Sequence, residues 1–307
     1  MIYSNFFRYF ITIGILVSSV HVVIAQDVEP RRWTPIPVGV HVVGIGYAYS
    51  TGELLLDPVL QIENAKVNIH AVVAQYVQPF KIGNNLARLD VTVPYAIGHW
   101  EGFVAGEPTI VYRNGFADPR VRVSMNFVGP KAMGPKEMQE YMLAHPVSTT
   151  FGASLGVTLP LGQYFDDKLI NLGQNRFILR PQIGMVHNWR QWSFELTGSA
   201  FIYTNNTNFF NGKTRRQSPI YALQTHLIKR FKNRVWASAS LAYGSDGKTT
   251  IDGEPKDDLR INGLAAFSLG FPILKNQSVK INYLRTQTFK DVGSDTDTFA
   301  LAWSLVF

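Results

Sequence analysis

From about residue 38 to the last residue, the chain is built of short runs in which every second side chain is apolar and the ones between are small or polar. Period-two alternation is the signature of a β-strand with two different faces. Twelve segments carry it, at 38–50, 65–79, 85–98, 117–128, 149–161, 175–188, 191–204, 217–230, 234–245, 259–272, 277–289 and 296–307. In the fourth, Val121, Val123, Met125 and Phe127 oppose Arg122, Ser124 and Asn126. In the last, Phe299, Leu301, Trp303, Leu305 and Phe307 oppose Ala300, Ala302, Ser304 and Val306. In water, five large apolar groups on one face of such a strand would invite edge-to-edge aggregation. A lipid-facing strand requires them. All twelve segments reach the ~9–11 residues with which a tilted strand crosses a bilayer.

The connections support a barrel independently. Short turns at 81–84, 188–190, 231–233 and 273–276 alternate with longer polar links at 51–64, 99–116, 162–174, 205–216, 246–258 and 290–295. Outer-membrane barrels have short periplasmic turns and longer external loops. Counting back from a periplasmic Phe307 puts all four short turns on the periplasmic side. The link 129–148 breaks the rule, and Pro135 and Pro146 bracket a short helix over 136–144 within it. It reads as a capped surface helix or a partner-docking element. Residues 26–37 carry Pro30, Pro35 and Pro37 and cannot donate a full set of ladder bonds. They read as an extended periplasmic lead or a plug.

Residues 1–25 hold one charged side chain, Arg8, followed by an apolar core and the exit Val23-Ile24-Ala25. That is the pattern of a secretory signal peptide cleaved after Ala25. Beyond it no apolar run approaches the ~20 residues of a spanning helix. An exported chain whose hydrophobicity is hidden in alternation therefore closes its strands into a barrel, since lipid cannot satisfy an open sheet edge. The expected fold is all-β, a single transmembrane antiparallel β-barrel of about twelve strands and outer-membrane type. The expected parts are a signal peptide (1–25), a periplasmic lead (26–37) and a barrel (38–307). Its location is the outer membrane of a Gram-negative bacterium, with membrane lipid as its surroundings. The terminal Phe307 looks like the signal by which the barrel assembly machinery recognises such chains.

With the barrel in place, the face opposite the apolar one becomes a lumen. It receives Arg88, Asp90, Asp118, Arg120, Arg122, Arg176, Arg180, Glu195 and Lys280. Arginine dominates, and its planar fork suits carboxylate or phosphate recognition. A charged ring of this kind selects solutes in channels. The same residues could instead pair across strands and fill a narrow interior. Within the link 162–174, Leu169, Ile170 and Leu172 are apolar where a wet loop should be polar, and they could fold into the mouth as a constriction.

Composition narrows the chemistry. There are no cysteines among 307 residues, so disulfides and thiolate metal sites are excluded. The net charge of +7 is scattered rather than gathered into a basic stripe, which argues against nucleic acid. His41, His70, His99, His145, His187 and His226 are 29 or more residues apart, so neither a metal site nor another cofactor site is indicated. No His-x-Ser, Gly-x-Ser-x-Gly or phosphate-cradling loop occurs, and the chain does not read as an enzyme.

Four short motifs carry a family resemblance: Pro30-Arg31-Arg32-Trp33, Ala117-Asp118-Pro119-Arg120, Thr158-Leu159-Pro160-Leu161-Gly162 and Leu172-Gly173-Gln174-Asn175-Arg176. In these, and in its closing strand, the chain resembles the outer-membrane family called MetA-pathway of phenol degradation. The resemblance implies a barrel transporter associated with uptake of aromatic or other poorly soluble compounds, and assigns no binding residue. Residues and resemblance together predict a passive uptake channel for small organic solutes. The alternative is a plugged barrel that docks a partner and transports nothing.

Overall fold

The computed structural model describes residues 28–55, 62–104 and 106–307, so the expected signal peptide lies outside the described residues. The first half of the chain forms β1 (Val42–Leu55), β2 (Ile62–Ile82), β3 (Asn85–Val104), β4 (Glu107–Phe116), β5 (Arg120–Val128), helix α1 (Pro135–Ala144) and β6 (Val147–Thr158). It continues through β7 (Ile178–Trp189), β8 (Trp192–Tyr203), β9 (Asn206–Phe209), β10 (Lys213–Gln217) and β11 (Ile220–Arg230). The last part comprises β12 (Trp236–Asp246), β13 (Thr249–Ile251), β14 (Glu254–Pro255), β15 (Arg260–Pro272), β16 (Gln277–Thr288) and β17 (Gly293–Val306).

Twelve staves make the wall. Every neighbouring pair is antiparallel, and β1 closes on β17 in unbroken register from Val42↔Val306 to Leu55↔Gly293. Closure leaves no edge within the membrane, which is the condition lipid imposes. Each of the twelve alternating segments overlaps one stave. The wall is inside out relative to a soluble protein: Ile45, Val72, Leu155, Phe267, Phe299 and Leu301 are exposed, whereas Ser154, Gln182, Thr197, Gln224 and Ser240 are buried inside. Burying polar groups inward and exposing apolar ones fits an apolar solvent outside. At the seam the inward residues are small, with Gly44 opposite Ser304, Gly46 opposite Ala302 and Ala48 opposite Ala300. This side of the barrel leaves the lumen free.

The structure differs from the sequence pattern at the ends. The stave expected over 117–128 begins at Arg120 as β5, which pairs with Ala87–Thr92 of β3; β4, before it in the chain, pairs with Tyr95–Val104, and Ala117-Asp118-Pro119 separates the two. The link expected over 99–116 is thus a β3–β4 hairpin that extends the wall. Two further links, expected as loops, contribute a small mouth sheet in the order β14-β13-β10-β9. Beyond the bilayer both strand faces meet water, so apolar alternation fades and these strands read as polar loops. Helix α1 begins at Pro135, as its proline predicts, and Glu137 reaches back to accept the Gly134 N–H at 3.1 Å.

Candidate solute-binding site

The prolines of residues 26–37 leave open an extended lead or a plug, and the described part of the segment enters the barrel. Residues 30–34 are turns rather than an extended strand, and they sit inside the barrel with Arg32 and Trp33 buried. The anchor is Trp33. Its indole lies on Gly152 and Gly184, which face each other across β6 and β7. A Cβ on Gly152 would fall 2.7 Å from the ring, and one on Gly184 would fall 2.2 Å from Nε1. Only glycine leaves that room. The indole N–H donates to Thr197 Oγ1 on β8 at 2.8 Å. The Arg32 backbone N–H donates to Glu195 Oε2 at 3.1 Å, and Thr34 Oγ1 approaches Oε1 at 3.5 Å. Burial of the Trp33 indole and the Glu195 carboxylate hold the segment inside.

Two carboxylates organise the arginines. Asp90 Oδ2 lies 3.3 Å from Arg32, 3.1 Å from Arg88 and 3.6 Å from Arg122. Glu29 takes both fork nitrogens of Arg122, at 2.7 and 3.1 Å, and Arg120 at 3.4 Å. A bidentate charged pair of this kind is directional and strong. Glu29 belongs to the inserted segment rather than to a spanning strand. Burial pushes its carboxyl up, but the charge and hydrogen bond of Arg122, with Arg180 and Arg88, more than reverse this and hold it at about 2. Its contribution to docking is therefore complete above the ordinary carboxylate range and is lost as pH falls from there through about 2. Open probability in planar bilayers is expected to stay level between pH 7 and 5 and to climb toward pH 3. A flat profile down to pH 3 would show that Glu29 does not hold the segment.

Above this segment lies a cavity of about 590 Å³. Of the residues singled out from sequence, the cations Arg88, Arg120, Arg122, Arg180 and Lys280 line it, with Asp90, Asp118 and Leu172. Its wall carries seven cations (these five, with Arg31 and Arg32) against the three carboxylates Glu29, Asp90 and Asp118. Such an excess in a low-dielectric tube attracts anions. Arg180 also lies over the Phe201 ring at 4.5 Å. Glu195 is fully buried beneath the inserted segment, and Arg176 sits at the mouth over Tyr203 at 4.2 Å, with Nε and Nη2 donating to Gln174.

Asp118, on the same wall, has a further task. Its Oδ1 accepts the Gly162 N–H at 2.9 Å and its Oδ2 accepts the Gln174 N–H at 2.7 Å, so one carboxylate clasps both ends of the 162–174 loop. That loop turns inward. Leu172 is buried with Val67, Ile69, Ala96, Trp100 and Ala117, Ile170 packs against the same cluster, and Leu169 is half-buried. Trp100, on a stretch expected as loop, is on the inward face of β3 instead. The residues missed from sequence are Glu29, Arg32, Trp33 and Trp100. The first three adjoin or lie within the Pro30–Trp33 motif, which was the available signal.

With this geometry in hand, the chain can be set beside known proteins. A family model described as MetA-pathway of phenol degradation matches residues 57–293. Among solved structures the chain is similar to the COG4313 outer membrane channel from Pseudomonas putida F1, with 17% identity over 92% of this chain and 100% of that one and a TM-score of 0.76. It is also similar to the transport unit of the autotransporter AIDA-I from Escherichia coli, with 10% identity over 97% of each chain and a TM-score of 0.53. At these identities the likeness is one of fold. No curated protein matches the chain.

Proposed function

Because the chain belongs to the family described as MetA-pathway of phenol degradation, we propose that it is a channel of the Gram-negative outer membrane for passive uptake of small organic solutes, aromatic or hydrophobic ones included. The observation that carries this is the 590 Å³ cavity, cationic below and apolar above, between the inserted segment and the mouth loop. Twelve strands lie between barrels filled by side chains and those that leave an open aqueous channel. The loop end faces the outside and the short-turn end the periplasm. Solutes enter past Leu172 and Trp100, are drawn down by the arginines, and leave when the N-terminal segment moves. Weak successive contacts let them go, as conduction requires. Expected chemistry at the wall is binding and release, with no catalytic step.

Closure by buried anchors also suits the second reading, a plugged barrel without transport. Planar-bilayer recording separates the two. The channel reading expects brief, small openings of the purified barrel, reduced by an aromatic carboxylate such as benzoate. A folded barrel that stays silent, with and without its N-terminal segment, would leave only the plugged reading.

A further inference from the structure

The inserted segment brings its own carboxylate to the lumen arginines, and this shows what the cavity is shaped to receive. Glu29 is held by Arg122 at 2.7 and 3.1 Å and by Arg120 at 3.4 Å, at the bottom of the cavity. Nothing about that contact is specific to a protein side chain; any carboxylate at the same point could make it. Lys280 lines the same cavity and has no hydrogen bond or ion pair among the described residues.

The upper wall is of the opposite character. Val67, Ile69, Ala96, Trp100 and Leu172 form one apolar cluster. Arg120 is level with Thr92 on β3, and Trp100 is eight residues further along that strand. Eight residues span about 26 Å of strand, or roughly 20 Å of height at the usual barrel tilt. The lining continues below Arg120 to Arg88 and Asp90, so a volume of about 590 Å³ spread over at least that height makes a slot of roughly 30 Å² or less in section. It is long, narrow, greasy at the outer end and cationic at the inner end.

We propose that this slot binds an elongated amphiphilic anion, whose carboxylate head takes Arg122 and Arg120 over from Glu29 and so loosens the N-terminal segment. The apolar body lies along Val67, Ile69, Trp100 and Leu172. Binding and opening are then coupled: the solute competes with the segment's carboxylate for the same forks, and each disfavours the other by the same factor. This rests on the lumen being the solute path and adds the class of solute and the way it opens that path.

The test uses the full mature barrel in nanodiscs, titrated with laurate, dodecanol and benzoate by calorimetry. Laurate is expected to bind, and dodecanol, lacking the charge, and benzoate, lacking the length, at least about tenfold more weakly. Glu29→Gln removes the competitor and should tighten laurate about tenfold, a gain that a misfolded barrel cannot produce. Arg120→Gln should weaken it. Equal binding of laurate and dodecanol, or an unchanged laurate affinity in Glu29→Gln, would overturn the proposal. Bilayer recording without ligand keeps the two readings apart. Conductance without laurate binding sinks the site alone, whereas laurate binding with the Glu29→Gln gain in a silent barrel sinks the channel and keeps the site.

Discussion

Replacing Trp33 by alanine is expected to raise the open probability of the barrel by orders of magnitude while leaving its wall intact. The indole is 2% exposed, rests on two glycines and donates a hydrogen bond to Thr197. Truncating a buried tryptophan costs about 3–5 kcal/mol. Here the loss falls on docking of the N-terminal segment, because no stave depends on it. Each 1.4 kcal/mol is a factor of ten, so the undocked population should rise by roughly 10² to 4 × 10³. The ion pairs of Arg32 and Glu29 remain, but on their own they repay only part of the desolvation of their charges. The measurement is single-channel recording of wild type and variant, with heat-modifiability on gels to show that both barrels are folded. Gly184→Val tests the same slot from the wall, since a side chain there would meet the indole. If both variants are folded and gate like wild type, the segment is not the gate.

How much of this could be read from the residues depends on where they stand relative to lipid. Between the two membrane faces the solvent outside is apolar and the lumen polar, so strands such as 149–161 and 296–307 alternate cleanly and were legible. Above the bilayer that contrast disappears. The extension of β3 to Val104, which carries Trp100, the strand β4 and the mouth sheet read as loops for that reason. The inward arginines were legible because alternation fixes the face of every residue once one face is known. Their partners were not. That Asp90 meets Arg32, or Arg122 meets Glu29, depends on a segment 50 to 100 residues away entering the lumen, and no local pattern encodes it. Asp118 shows the same limit. Alternation gives its position at the head of a stave, but its task is set by two backbone amides from the opposite ends of another loop.

That clasp gives the second large effect. Asp118→Ala is expected to release the 162–174 loop from the mouth. The carboxylate accepts two backbone N–H groups, and hydrogen bonds to a charged group contribute about 1.5–3 kcal/mol each. Gly162 and Gly173 are packed so closely on Asp118 that a Cβ on either would stand 2.8 and 2.9 Å from its Oδ1. Three of the motifs that carry the family resemblance, around Ala117–Arg120, Thr158–Gly162 and Leu172–Arg176, thus meet at one carboxylate. Once the loop is free, Leu172 leaves the cluster of Val67, Ile69 and Trp100, and the apolar half of the slot loses one wall. Trypsin should then cut after Lys168, which is exposed, at least about tenfold faster, because cleavage follows the population of the open form. Asp118→Asn, which keeps one acceptor, should fall between. Conductance should change less than in Trp33→Ala, since the anchors of the N-terminal segment below are untouched, but laurate should lose affinity through its tail while Arg120 and Arg122 still hold its head. Cleavage at Lys168 no faster than in wild type would mean that the loop is held by its apolar side chains, and that Asp118 only shapes its ends.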